Sequence, residues 1–169
     1  MITIDLSEVE PMAALPFHPP RRYTHPRAAG RSRRHPAGGG EAGCRPVRRQ
    51  GQPCHLTDKL VDGKLMVDQG VIAGCAGGMY DNIAEAAAIL DGHDVGSGYF
   101  SLSVYPPSVP VNLELIQNGV QQSLLEAGAL FKPCFCGPCF GAGDVPANNG
   151  LSIRHTTRNF PNREGSKPA

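Results

Sequence analysis

Apolar and polar positions alternate with two different periods along the chain, and the periods predict an alternating order of strands and helices. The run 70–75 is short, apolar and ends in small residues, as a strand buried in a parallel sheet does. A second strand is predicted over 99–105, before Pro106 and Pro107, and a third over 151–154. These three segments supply the predicted sheet.

Two segments between the strands repeat their apolar residues at helical spacing. Residues 79–90 predict one helix, which ends at Asp91 and Gly92. Residues 111–127 predict the longest helix, which Gly128 stops. Its apolar stripe is expected to lie in the core: Leu113, Ile116, Val120, Leu124 and Leu125. The order of elements predicts an α/β fold, with a mostly parallel sheet and flanking helices.

Shorter patterns lie nearer the N-terminus. Positions 2, 4 and 6 are apolar and alternate with polar residues, so residues 1–19 predict a strand followed by a turn. Asp62-Gly63 predicts a second turn, with Leu60 and Val61 before it and three apolar residues, 65–67, after it. An α/β domain is expected over 55–169.

Composition separates residues 20–54 from the rest of the chain. The segment has nine arginines and one acid, Glu41, and Arg, Gly, Pro and Ala fill 24 of its 35 positions. Because so little of it is apolar, it cannot offset its ordering entropy, and we expect it to be disordered. It could be a basic arm for nucleic acid, a solvated linker, or the product of a shifted reading frame in GC-rich DNA. The abrupt return to ordinary composition near His55 favours the frameshift, so a nucleic-acid partner is not expected.

The sequence also bears on the cellular compartment. No run of 18 apolar residues is present, so no membrane span is expected. The first ten residues are acidic and alternating, unlike a signal peptide. We therefore expect a cytoplasmic protein with reduced cysteines, which favours metal ligation or catalysis over structural disulfides.

The most specific chemical motif is Cys136-Gly137-Pro138-Cys139, with Cys134 just before it. Two cysteines with this spacing can bind one metal centre or form a redox disulfide. Cys75 is predicted at the carboxyl end of a strand, where sites form in open α/β sheets. It can therefore meet the pair, and three thiolates suit an iron–sulfur cluster or a cysteine-rich zinc site.

Two arginines, Arg158 and Arg163, follow the third predicted strand. Guanidinium groups bind carboxylates in a bidentate manner, so these residues and the thiolates outline a polycarboxylate site. Three alternatives stay open. The arginines could be surface residues paired with Asp144 or Glu164. The four cysteines from Cys75 to Cys139 could bind zinc. A thioredoxin-like redox pair is disfavoured because the motif lies late in the chain and Gly-rich residues, a poor helix start, follow it.

Three segments, in order, resemble the third domain of the aconitase superfamily of iron–sulfur hydro-lyases. Ile4-Asp5-Leu6-Ser7-Glu8, followed by Pro16-Phe17, is similar to the family's Asp-Leu-Ser-Glu-Leu entry. Val71-Ile72-Ala73-Gly74-Cys75 is similar to its Gly-Ser-Cys-Thr-Asn-Ser segment. The Cys-Gly-Pro-Cys run with Arg158-Asn159-Phe160 and Arg163 resembles Ala-Cys-Gly-Pro-Cys and Asn-Arg-Asn-Phe-x-Gly-Arg. The resemblance covers residues 1–17 and 55–169.

The resemblance implies a 4Fe-4S iron–sulfur cluster bound by Cys75, Cys136 and Cys139. The fourth iron would have no protein ligand and would act as a Lewis acid on the substrate. Arg158 and Arg163 would bind the carboxylates of a hydroxy-polycarboxylate such as citrate or isocitrate, in a reversible dehydration. The family's catalytic base lies in other domains. We therefore expect a hydratase (lyase) fragment, truncated at its C-terminus, inactive alone and completed by the missing domains of the same enzyme. The alternative is a non-catalytic fragment.

Four positions depart from the family pattern. Ala76-Gly77 stands where the family has Thr-Asn, which removes an active-site amide. Thr157 replaces the Asn before the first arginine, and Asn162 replaces the Gly before the second.

Overall fold

The computed structural model describes residues 12–14, 22–24, 56–96 and 98–157. The chain divides into two compact units. The described residues of the first unit are 12–14, 22–24 and 56–65, and those of the second are 66–96 and 98–157. The predicted strand within residues 1–10, most of the segment 20–54, Arg158 and Arg163 lie outside the described residues.

The described residues of the first unit form two antiparallel strand pairs. Strands β1 (Met12–Ala14) and β2 (Arg22–Thr24) pair with Ala13 opposite Tyr23. Strand β2 belongs to the segment 20–54, for which the sequence predicts no regular structure. Tyr and Thr are strand-forming residues, which accounts for the difference at these positions.

A hairpin follows in the same unit. A 3₁₀ turn (Leu56–Lys59) leads into β3 (Leu60–Val61), which pairs with β4 (Lys64–Leu65). Asp62 and Gly63 connect the strands with positive φ angles of 50° and 76°. Both signs match a type I′ hairpin turn, so the predicted turn is confirmed.

A four-stranded parallel sheet organises the second unit. Its strands are β5 (Gln69–Ile72), β6 (Ser101–Val104), β7 (Leu130–Phe131) and β8 (Ser152–His155). They lie in the order β7-β6-β5-β8, and every neighbouring pair is parallel. The predicted α/β class and parallel sheet are therefore confirmed. The carboxyl ends of all four strands meet at one edge of the sheet.

Four helices connect the strands: α1 (Gly74–Gly77), α2 (Tyr80–Leu90), α3 (Val109–Gln117) and α4 (Val120–Glu126). The last three pack on one another. Their inner sides form the main core with one face of the sheet: Ile83, Ala87, Leu102, Val104, Leu115, Leu124 and Ala129. Among the described residues, no helix is long and apolar enough to cross a membrane.

The predicted single helix over 111–127 is wrong, because the chain forms two helices there. Gly119 adopts a left-handed conformation (φ 73°) between α3 and α4. Ser108 caps the first of them two residues earlier than predicted, with Pro110 in the first turn. Since the two helices have separate axes, one stripe cannot describe both. Leu113 and Ile116 are about half exposed, whereas Leu115 is fully buried.

The opposite face of the sheet has a smaller apolar cluster, Val71, Ala73 and Tyr105. These residues alternate along their strands with members of the main core and so point the other way. The loop 133–150 is hydrogen-bonded to this side of the sheet. The loop contains one regular element, the 3₁₀ turn Gly137–Phe140.

Candidate metal-binding site

Cys75 lies just beyond the carboxyl end of β5. The strand ends at Ile72, and the Ala73 N–H donates to the carbonyl of His155 at 3.0 Å. Gly74 then adopts φ +81° and turns the chain into α1, so Cys75 is in a one-turn helix and not in the predicted strand. Its side chain is exposed.

The backbone of Gly74 is in close contact with Cys139. A Cβ atom at position 74 would lie 2.5 Å from the Cys139 sulfur, a distance that real Cβ atoms do not show. The positive φ and this contact both require glycine. Gly74 therefore permits the approach of the two cysteine-bearing segments.

Cys136 and Cys139 are joined by the 3₁₀ turn. The Cys139 N–H donates to the Cys136 carbonyl at 3.2 Å, and the turn ends at Gly141 with φ 83°. Cys136 is exposed, whereas Cys139 is 5% exposed. A thioredoxin-type pair gains its reactive thiolate at the start of an α-helix, but this pair lies in a single 3₁₀ turn. The turn gives the redox alternative no support.

Three segments meet at the Cys139 sulfur. Burial is the main reason that its pKa is raised, and the negative charges of Cys136 and Cys75 raise the pKa further. The N–H and hydroxyl of Thr157 donate hydrogen bonds to the sulfur and partly offset this effect. Cys75 and Cys136 are therefore near enough to Cys139 that a negative charge on either of them disfavours the Cys139 thiolate. A bound cationic group would relieve that repulsion.

The donor set determines which groups fit. Across residues 12–14, 22–24, 56–96 and 98–157, no three His, Cys, Asp or Glu side chains converge as closely as a single metal ion requires. An iron–sulfur cluster takes its thiolates on different iron atoms, so its ligands need not converge on one point. The three neighbouring thiols thus fit a cluster better than one zinc ion.

Packing explains one departure from the family pattern. A Cβ atom at Gly77 would lie 1.8 Å from the carbonyl oxygen of His155. No amide side chain can therefore be accommodated at this position while β8 remains where it is. The neighbouring Ala76 carbonyl accepts a hydrogen bond from the Asn82 side chain at 2.7 Å.

The predicted substrate-binding arginines, Arg158 and Arg163, lie outside the described residues, which end at Thr157. Asp144, the alternative surface partner of these arginines, has a partner just beyond the end of β6. Its carboxylate accepts a hydrogen bond from the Tyr105 hydroxyl at 2.6 Å. Burial and the Asp144 carboxylate together raise the pKa of Tyr105 to about 12.

Sequence reasoning missed two residues that fix the cysteine loop, Arg154 and Tyr105. Arg154 donates to the carbonyl of Pro138, which lies between the two paired cysteines, at 2.9 Å. In the sequence, Arg154 directly follows apolar Ile153 in the predicted strand. Successive strand residues lie on opposite faces of a sheet, so this alternation could have indicated a positive charge on the face opposite Ile153. Nothing comparable marks Tyr105, which lies in an apolar run.

A sequence model of the aconitase family (aconitate hydratase) matches residues 1–169. The chain belongs to the aconitase family. This match confirms the aconitase-superfamily membership that the cysteine and arginine motifs predict.

Curated relatives of this aconitase-family chain are large subunits of 3-isopropylmalate dehydratase. The one from Methanopyrus kandleri (large subunit 1) is 30% identical over 167 residues, which are 98% of this chain and 32% of that protein. The Thermococcus kodakarensis protein is 32% identical over 164 residues, 96% of the chain and 33% of its own length. Large subunit 2 from Pyrococcus furiosus is 38% identical over 104 residues, 61% of the chain and 27% of that protein. The chain thus spans about a third of the length of these relatives.

Proposed function

We propose that this chain supplies the three cysteine ligands of a 4Fe-4S cluster in an aconitase-family hydro-lyase. Cys75, Cys136 and Cys139 are the proposed ligands. The observation that carries the proposal is the close packing of the Cys139 sulfur against Gly74, the residue before Cys75, with Cys136 in the same 3₁₀ turn as Cys139. Membership of the family, which is known for such clusters, supports it.

The surrounding residues have separate tasks in this proposal. Gly74 leaves space for the Cys139 sulfur, since any side chain there would collide with it. Thr157 donates two hydrogen bonds to that sulfur and stabilises its thiolate form. When bound, the cluster supplies Lewis-acid polarisation of a substrate hydroxyl. Arg158 and Arg163, which follow β8 in the sequence, bind the substrate carboxylates.

The names of the relatives bear on the substrate and the partner. They point to 3-isopropylmalate in place of citrate or isocitrate, so 3-isopropylmalate is the substrate we propose. Both kinds of molecule have a hydroxyl group and carboxylates, and the same ligand chemistry serves either. Because the relatives are large subunits and are about three times as long, the active form contains further polypeptide that includes the catalytic base.

Electron paramagnetic resonance of the reduced, anaerobically reconstituted chain tests this function. We expect 3-isopropylmalate to perturb the cluster signal, and isopropylsuccinate, which lacks the hydroxyl, to leave it unchanged. A response to citrate alone would replace the proposed substrate. A cluster signal that none of these compounds alters would contradict a role of this chain in substrate binding.

A further inference from the structure

The loop that bears Cys136 and Cys139 has little regular structure of its own. Its internal backbone bonds are local, such as Ala142 N–H to the Gly137 carbonyl at 3.0 Å. Metal ligands must nevertheless be fixed within a fraction of an ångström of their productive positions. Side chains from the sheet must therefore provide the fixation.

Arg154 provides at least four hydrogen bonds at this place. From β8, its Nη1 donates to the Pro138 carbonyl at 2.9 Å, and its Nη2 donates to the Asp144 carbonyl. Both acceptors belong to the cysteine loop, one between the paired cysteines and one beyond them. The single guanidinium thus joins two points of the loop that are six residues apart.

The other donors of Arg154 are directed at the sheet. Its Nε donates to the Ser152 hydroxyl at 2.9 Å, and Nη2 also donates to Oε1 of Gln69 at 3.0 Å. The Ser152 hydroxyl donates to the same oxygen at 2.9 Å. Gln69 is buried, so the guanidinium is held in one orientation by partners from two neighbouring strands.

Tyr105 attaches the loop to the sheet at a second point, and it does so through Asp144, which also accepts a hydrogen bond from Arg154. Its hydroxyl donates to the Asp144 carboxylate, and its own N–H donates to the Ile72 carbonyl at 2.8 Å. Asp144 has φ 46°, an uncommon conformation for a residue other than glycine. Bonds to both its carbonyl and its carboxylate hold it there.

We propose that Arg154 is a positioning residue that holds the Cys136–Cys139 turn against the sheet and so presets Cys139 for metal binding. This positioning role rests on the proposed function, because metal binding by Cys139 is part of that function. The planar guanidinium is required, because only a fork of several fixed donors can reach both loop carbonyls and the sheet at once. A lysine at this position has the charge but a single ammonium group.

The test measures alkylation by N-ethylmaleimide in the metal-free, reduced full-length chain, with each cysteine located by fragment-ion mass spectrometry. We expect Arg154→Met to accelerate modification of Cys139 by about tenfold or more, because bonds that close the loop are lost. The rate at Cys75, which is on a different segment, should stay the same. Lys64→Met removes an exposed cation from the hairpin and serves as the matched control, with no effect on Cys139.

Arg154→Lys keeps the positive charge but removes the guanidinium group, so it tests whether the charge alone is enough. It also tests the proposal if Arg154→Met does not fold. We expect the lysine variant to expose Cys139 nearly as much as the methionine variant does. Protection of Cys139 at the wild-type level in a folded Arg154→Lys chain would overturn the proposal, as would equal acceleration at Cys75 and Cys139.

Iron content after anaerobic reconstitution is the second measurement. We expect Arg154→Met to bind less iron per chain than the wild type and Lys64→Met to bind the same amount. Since alkylation needs no iron, the two proposals can fail separately. A wild-type chain that binds no cluster contradicts the proposed function, and an Arg154→Met chain with wild-type Cys139 protection contradicts the positioning role.

Discussion

At the scale of single residues, the site depends on close contacts between a backbone and a sulfur atom. Gly74 and Cys139 come from segments more than sixty positions apart, and the sulfur of one lies against the main chain of the other. Thr157 completes the surroundings of the same sulfur. Small changes at these positions should therefore affect both the thiol group and the stability of the fold.

Gly74→Ala tests this contact. The left-handed conformation costs an alanine about 1–2 kcal/mol of folding free energy. The alanine Cβ would lie 2.5 Å from the Cys139 sulfur, and pushing that sulfur aside costs about 1–3 kcal/mol more. Gly92→Ala is the matched control, because Gly92 has a similar φ of +70° with nothing within 4 Å of its Cβ position. Denaturant unfolding should show the larger loss for Gly74→Ala. Equal losses in both variants would mean that the sulfur contact does not matter.

The hydroxyl of Tyr105 gives a pH-dependent prediction. Its pKa is raised to about 12, first by burial and then by Asp144. Asp144→Asn should lower this pKa but leave it above the ordinary value of 10.0, because burial remains. Ultraviolet titration, with Tyr105→Phe subtracted to remove the other tyrosines, measures the shift. An unchanged midpoint in Asp144→Asn would exclude the carboxylate as a cause.

The same shift affects stability. Because the folded state keeps Tyr105 protonated when the unfolded chain has ionised it, its contribution is fully present below about pH 10 and is lost as the pH rises towards 12. The free energy of unfolding of wild type should fall more steeply over this interval than that of Tyr105→Phe.

At the scale of elements, the break at Gly119 determines which helix residues support the sheet. It gives α3 and α4 separate axes, and it places Leu115 and Leu124 in the core. Leu113 and Ile116 lie on the outer side of α3 instead. The core is therefore assembled from two short helices and not from one long stripe.

Leucine truncations test this arrangement. Leu115→Ala should destabilise the chain by about 2–5 kcal/mol, because it leaves a cavity at a fully buried position. Leu113→Ala, at a position that is 52% exposed, should change the free energy of unfolding by only about 0.5 kcal/mol. Denaturant unfolding measures both. The reverse order would support a continuous helix over 111–127.

Much of this architecture could be predicted from local patterns. The apolar runs located β5, β6 and β8, and helical spacing located α2. Strand β7 was missed because it has only two residues, Leu130 and Phe131, too few to show a period. The turn at Gly119 was missed because the apolar positions on either side still fit one helical period by chance.

The part of the site that could be predicted is the part that depends on residue type and spacing, namely the cysteines. Cysteine spacing and the strand end predict that Cys75 meets the pair, and in the structure the Cys139 sulfur lies against Gly74, the residue before Cys75. The roles of Thr157 and Arg154 arise from tertiary contacts across strands and loop, which no sequence spacing encodes. The cysteine motif therefore predicts the kind of site, while its supporting contacts require the structure.

At the scale of the whole molecule, the proposed function requires more polypeptide than this chain. It spans about a third of its relatives, and the proposed ligands are on it. We therefore expect the reconstituted chain alone not to dehydrate 3-isopropylmalate. Addition of polypeptide corresponding to the remaining two thirds of a relative's large subunit, with its partner subunit, should produce turnover. Activity of the chain alone would show that the catalytic base is within it.

The iron and sulfide content of the anaerobically reconstituted chain, measured with and without each cysteine, tests the proposed cluster ligands directly. We expect about four iron and four sulfide per chain, with loss of the cluster in Cys75→Ser, Cys136→Ser and Cys139→Ser. Cys134→Ser, in the same loop, should bind the full amount. Zinc bound in preference to iron, or a cluster that survives Cys75→Ser and fails in Cys134→Ser, would show that the proposed ligand set is wrong.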